Sequence, residues 1–349
     1  MPSPETPVAN DFDKLDFSWL ASSKILRWKS WFYEGLVPVL ARRGPLEAGM
    51  ELERIGQAIN SLWPLRWRAI RKAVRRNRVA CHAPWKEHEV TKGLARQMLR
   101  YLARDYVLDV IPPHDWSELF TVTGHEHVQN AISDGRGLIL LGSHLGGHLA
   151  GVHWMIDHGV PLRMLVQRPR NVSRRLHAWF DDEHPVCTQR DLFLKRDLTA
   201  AESARRMTDA RRLIQSGHAI YTNCDIPWSG PNTDTCRFLG KPVRLQSIWI
   251  DLAKILGCPV ITLECRQKPG GRFELQFDEP LMIGAKDSRE LVFEKVLGRL
   301  EKSILDYPDD AIAHLTWPHF RPHRGPAEVV DQTRDQASKI MKKPAGMMF

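Results

Sequence analysis

Between Gly137 and Gly142 the chain reads Gly-Leu-Ile-Leu-Leu-Gly, and it continues Ser143-His144-Leu145-Gly146-Gly147-His148. Four consecutive apolar residues bounded by glycines are too few for a helix and enough for a strand buried on both faces. Strands of that kind belong to sheets with helices on either side, so this segment points to an α/β fold. The apolar-periodic stretch from about Leu149 to Ile156 reads as the helix that follows.

The junction itself has chemical content. Gly146 and Gly147 lack the side chains that would keep a substrate from the backbone, and the helix they open brings free N–H groups to the same place. An imidazole titrates near neutrality, so His144 can take a proton from an attacking hydroxyl while those N–H groups stabilise the resulting oxyanion. The same residues equally suit a tight turn whose histidine only bonds the loop.

Strands and helices alternate from Gly137 onward. Strands are expected near 137–142, 163–167, 191–195, 218–223, 259–265 and 272–277, and helices near 149–158, 172–180, 199–216, 246–256 and 288–305. Thr199-Ala-Ala-Glu202 is a capping box, and Gly217 and Gly257 stop two helices. The expected fold is α/β, a central mostly parallel or mixed sheet flanked by helices. An N-terminal amphipathic, membrane-binding extension precedes it. The expected division is 1–80 for that segment, 81–325 for the α/β domain and 326–349 for a loosely ordered tail.

The N-terminal segment is where the charge sits. Thirteen basic residues lie between Lys24 and Arg78 against four acidic ones, an excess equal to the whole net charge of +9. From Trp19 to about Ala41 the pattern is helical, with Trp28, Trp31 and Phe32 among Lys24, Arg27 and Lys29, and Pro38 is expected to kink or end the helix. The stretch from Leu62 to Arg78 carries seven basic residues and no acid. Indole rings beside cations suit an anionic membrane surface, and a basic helix packed by its Trp side is the other reading. No nucleic-acid motif accompanies the charge, so nucleic acid is not an expected partner.

Other classes are set aside on spacing. Cys81, Cys187, Cys224, Cys236, Cys258 and Cys265 form no Cys-x-x-Cys pair and read as reduced thiols. His144, His148, His153 and His158 lack a His-Glu-x-x-His pattern, so no metal is expected. Ser143 is not within a Gly-x-Ser-x-Gly elbow. The N-terminus has no secretory pattern, and no apolar run is long enough to span a bilayer.

Four further stretches keep company with the His144 segment. They are Gln167-Arg168-Pro169-Arg170-Asn171, Tyr221-Thr-Asn-Cys-Asp225, Arg237-Phe-Leu-Gly-Lys-Pro242 and Tyr307-Pro-Asp-Asp310. In this order, between roughly Arg75 and His319, the chain resembles the lipid A lauroyl/myristoyl acyltransferase family of the lysophospholipid acyltransferase superfamily. The resemblance implies a membrane-associated enzyme at the cytoplasmic face of the inner membrane. Such an enzyme moves a fatty acyl chain from acyl carrier protein or acyl-CoA to a hydroxyl of a lipid or glycolipid, without a cofactor. It implies that His144 is the general base, that Arg168 and Asp225 line the site, and that Arg237–Pro242 forms a loop beside it.

The family signature places Asp or Glu five residues after the histidine, where this chain has Leu149. Three arrangements would compensate: Asp225 approaching from a neighbouring strand end, His148 sharing the work one helical turn on, or His144 acting alone on a reactive thioester. A degenerate, lipid-binding site and an ester or thioester hydrolase are the competing functions. Arg168 follows a strand, where a guanidinium can hold a phosphate bidentately, and with Gly146, Gly147, Arg170 and the Arg237 of the loop the resemblance implies it makes up the expected substrate-binding set. Asn171 is expected to cap the next helix.

Overall fold

The Leu138–Leu141 run is a strand, and it lies inside the sheet with a parallel neighbour on each side. A computed structural model describes residues 31–169, 172–181, 192–194, 199–228 and 232–316. Its strands are β1 (Phe120–Thr123), β2 (Leu138–Gly142), β3 (Leu162–Met164), β4 (Ala219–Asn223), β5 (Thr233–Phe238), β6 (Lys241–Gln246), β7 (Val260–Gln267) and β8 (Phe273–Phe277). Six of these form one sheet in the order β1-β8-β7-β2-β4-β3, in which only the β7–β8 pairing is antiparallel.

Every residue of β2 is buried because the sheet is covered on both faces. Ile139 and Leu141 join one apolar cluster, while Leu138 and Leu140 join the other, as the two-residue period of a strand requires. The helices that cover it are α1 (Val37–Ala41), α2 (Pro45–Leu62), α3 (Pro64–Ala80), α4 (Glu87–Ala103), α5 (His125–Ser133), α6 (His148–Asp157), α7 (Arg174–Asp181), α8 (Ala200–Gln215), α9 (Ile248–Leu256), α10 (Arg289–Asp306) and α11 (Ile312–Thr316). Helices α8, α9 and α10 pack with the Ile139 cluster, and α1, α2 and α6 with the Leu140 cluster. Thr199 and Glu202 exchange both bonds of the capping box at the start of α8.

Three expectations change. The described part of that segment, residues 31–80, does not stand apart from the α/β body. Phe32, Val37, Leu40 and Leu52 are buried in one core and Ile70 and Val74 in the other, because α2 and α3 have apolar faces that fit against α4. The predicted helix through Ala41 is split: a π-helical turn, Trp31–Leu36, gives way to α1, and Pro38 falls in the first turn of α1, where a missing N–H costs little. Arg237–Pro242 is not a loop but the tip of the β5–β6 hairpin. Its two-residue turn is Leu239-Gly240, both with positive φ (+50° and +71°).

Several expectations fall outside the described residues: the helix from Trp19 to residue 30, Arg170, Asn171, Cys187, both ends of the strand at 191–195, and the tail from 326. Of that strand, Leu194 makes a parallel bridge to Gln167.

Candidate active site

The parallel register of β2 and β4 assembles the centre of the site. Gly142 lies opposite Asn223, so residues two beyond each strand, His144 and Asp225, emerge side by side at the same edge of the sheet. Nδ1 of His144 lies 2.9 Å from Oδ1 of Asp225, and the His144 backbone N–H donates to Oδ2. A third donor reaches the same carboxylate: Nε2 of His314, on α11, is 2.9 Å from Oδ2. Asp225 and His314 are fully buried, whereas 16% of the His144 side chain is exposed.

The electrostatics follow from these contacts. Burial pushes the Asp225 carboxyl up, but His144 and His314 outweigh it and hold the group well below the usual carboxylate range. An ionised carboxylate only accepts, so the proton between the pair sits on Nδ1 of His144. The lone pair of the neutral ring is then on Nε2, the nitrogen that can take a proton from a substrate.

His148, the alternative the sequence suggested, lies in a different setting from His144. Its ring is buried, 4.9 Å from the His144 ring centroid to centroid, and Arg104 Nη2 lies 3.4 Å from its Nε2. A guanidinium only donates, so that nitrogen accepts. Burial, then Arg104 and His144, hold the ring well below the ordinary imidazole range. With its lone pair directed at Arg104 and its basicity suppressed, His148 sits as a neutral neighbour of His144.

Gly146 and Gly147 also act differently. The Gly146 N–H donates to the Asp310 carbonyl at 3.0 Å and the Gly147 N–H to the Cys265 carbonyl at 2.6 Å, so neither amide is left for an oxyanion. A Cβ at Gly146, whose φ is +47°, would meet the Cys265 carbonyl at 2.8 Å, and one at Gly147 would meet the Phe273 ring at 2.6 Å. The glycines admit β7 and β8, not a substrate. In the first turn of α6 the amides of His148, Leu149 and Ala150 have no backbone acceptor among the described residues.

Leu149, at the position where a carboxylate was expected, is 4% exposed within the apolar cluster beneath α6. Ser143 is buried, and its Oγ accepts from the Leu145 N–H. His153 faces Ser173 and His158 stacks on Trp154, so the four histidines from 144 to 158 turn to separate partners.

The arginines do not converge on the pair. Arg168 follows β3 at the same end of the sheet, two strands from β2, is exposed, and lies with its guanidinium 5.4 Å from the Phe193 ring centroid. Arg237 is exposed on β5 and lines a groove of about 890 Å³ between the hairpin and α10. Its neighbour Phe238 faces inward, 6.0 Å from the His314 ring, and successive strand residues point to opposite faces.

His314 and Arg104 escaped the sequence reading. A signal for the first existed: Ala311-Ile-Ala-His-Leu315 places one histidine in an apolar run, and a buried ring needs a partner. Arg104 had none, being one of many basic residues on a helical stretch.

No protein-family model and no curated protein matches the chain. Among solved structures, the 1-acyl-sn-glycerophosphate acyltransferase of Thermotoga maritima is similar with a TM-score of 0.35 and 16% identity, over 69% of this chain and 95% of that one. A likeness of that size carries no functional argument, and what the site can do rests on the His144–Asp225 geometry.

Proposed function

We propose that the protein is an acyltransferase that moves a fatty acyl chain from an acyl thioester, on acyl carrier protein or coenzyme A, to a hydroxyl of a lipid or glycolipid. The observation that carries this reading is the 2.9 Å contact between His144 Nδ1 and the buried Asp225 carboxylate. It supplies from β4 the acid that is missing at Leu149, and it weighs against a lapsed, lipid-binding site. Lipid A precursors are one acceptor class within this reading.

In the reaction His144 Nε2 takes the acceptor's hydroxyl proton as its oxygen bonds to the thioester carbon. The imidazolium, held by Asp225, returns that proton to the thiolate when the carbon–sulfur bond breaks. General-base assistance of this kind is worth about 10²–10⁴ in rate. The tetrahedral oxyanion is assigned to the first-turn amides of α6, at the positive end of the helix dipole. Arg168 at the same sheet edge is the candidate for a donor or acceptor phosphate.

Peripheral binding at the cytoplasmic face of the inner membrane is part of the proposal. Leu65, Arg68, Lys72, Arg76 and Val79 form an exposed stripe along α3, opposite buried Ile70, Val74 and Asn77, and Leu62 and Trp63 are exposed at its head. Apolar side chains at both ends of a basic stripe suit an anionic bilayer. Among the described residues no helix is long and apolar enough to cross a membrane.

The test is transfer from a mixed pool of labelled acyl carrier protein and acyl-CoA thioesters into whole-membrane lipid extract. A labelled lipid with wild type and none with His144→Ala supports the reading. Label released only as free fatty acid assigns the site to hydrolysis, and label retained in the thioesters counts against catalysis altogether.

A further inference from the structure

We propose that His314 is a positioning residue for the base: by holding the second oxygen of Asp225 it forces the first to face His144. The inference rests on reading His144 and Asp225 as base and acid. A carboxylate held from one side can turn, because the terminal torsion of aspartate is broad and roughly two-fold. Both bonds that His144 makes to Asp225, from Nδ1 and from its backbone N–H, come from a single residue of one loop. His314 contributes the constraint from another element. Its Nε2 lies 2.9 Å from the Asp225 oxygen that also accepts the His144 backbone N–H, which leaves Oδ1 for the ring.

The segment that carries His314 holds the base as well. Four residues earlier, the Asp310 carbonyl takes the Gly146 N–H, and the Asp310 carboxylate accepts the Gln267 N–H at 2.8 Å. Residues 310–314 therefore fix the loop bearing His144 with their backbone and the acid behind it with a side chain. His314 is fully buried with the Phe238 ring 6.0 Å away, so it acts through Asp225 and does not touch substrate. This arrangement answers a requirement created by the chain itself. An acid supplied from a separate strand lacks the fixed spacing that a shared helix would give it, and a second donor restores the constraint.

The measurement is the tautomer of His144, read by ¹⁵N NMR of histidine-labelled full chain above the pH at which the ring is protonated. In the wild type the proton is on Nδ1, because the partner of one ring nitrogen decides which carries it. His314→Gln keeps a donor and is expected to keep this tautomer. His314→Phe and His314→Leu lack a donor and should give His144 a mixture containing the Nε2–H form, with a lower kcat and little change in KM. Two donorless side chains are used so that the test does not hinge on one of them folding.

A folded Phe or Leu variant that retains the wild-type tautomer overturns the proposal, as does loss of that tautomer in the Gln variant. The readout does not require turnover. If the tautomer depends on the donor but no thioester supports transfer, the role of His314 stands and the acyltransferase reading falls.

Discussion

An aspartate beside a histidine ring is worth little unless it stays ionised, and Asp225 does so despite complete burial because three donors surround it. Position 149 is closed to the same task. Its side chain is packed in the cluster with Val152, Ile261 and Leu263, where a charge would have no partner of that kind. Leu149→Glu is therefore expected to lower stability by about 3–5 kcal/mol, the range for an uncompensated buried charge, and to gain no activity. Denaturant unfolding and the transfer assay check both halves. A variant as stable as the wild type and more active would show that Asp225 does not serve the base.

At the scale of elements, the His144 loop is a close-packed bridge between β2 and α6, and its glycines are there for the backbone of β7 and the Phe273 ring. Gly146→Ala would have to hold alanine at φ +47° and push against the Cys265 carbonyl. A loss of about 1–3 kcal/mol in thermal or denaturant unfolding follows from the backbone strain alone. Much at this scale was legible in the sequence. The runs Leu138–Leu141 and Ala219–Asn223 declare strands by composition, and the residues just beyond them, His144 and Asp225, are the ones that meet. Their meeting was legible only as one of three arrangements, because only the pairing of β2 with β4 gives both residues the same offset. The β5–β6 hairpin stayed hidden for a chemical reason. Its turn puts Leu239 in a left-handed conformation where asparagine or aspartate would have signalled it, and Pro242 reads as a strand breaker although it sits on a two-stranded ribbon.

For the whole molecule, two cores on opposite faces of one sheet leave the basic stripe of α3 outward, and this decides which charges test membrane binding. Arg71 and Arg75 lie 3.8 and 3.9 Å from Glu87, so reversing them also disturbs contacts within the fold. Arg68→Glu, Lys72→Glu and Arg76→Glu change the exposed stripe instead. The triple variant is expected to lose sedimentation with anionic vesicles while keeping its melting temperature. Undiminished vesicle binding would remove α3 from the interface.

Stability should also carry a signature of the acid beneath the His144 loop. Burial above all pushes Asp310 up to about 7, against about 3.9 in an unfolded chain. Between those values the folded protein keeps a proton that the unfolded chain releases, so this contribution is complete below about pH 4 and is lost as pH rises through about 7. Asp310→Asn mimics the protonated acid and has no such proton to lose. Its stability relative to wild type should rise between pH 5 and pH 8, by at most about 1.4 kcal/mol per pH unit. Buried neutral histidines such as His148 and His153 slope the other way, but they are common to both proteins and cancel in the difference. A pH-independent difference between variant and wild type would place Asp310 in an ordinary, ionised setting.

The most direct measurement is the rate of acyl transfer for wild type, His144→Ala, Asp225→Asn and the double variant, with the substrate pair that the labelling experiment identifies. If the two residues act as one base, Asp225→Asn costs on the order of 10⁴ in kcat, as the loss of the acid does in serine proteases. The double variant then falls no further than His144→Ala alone, because groups that act as a unit are not additive. Wild-type turnover by Asp225→Asn, or a double variant slower by the product of the two single losses, would contradict the dyad.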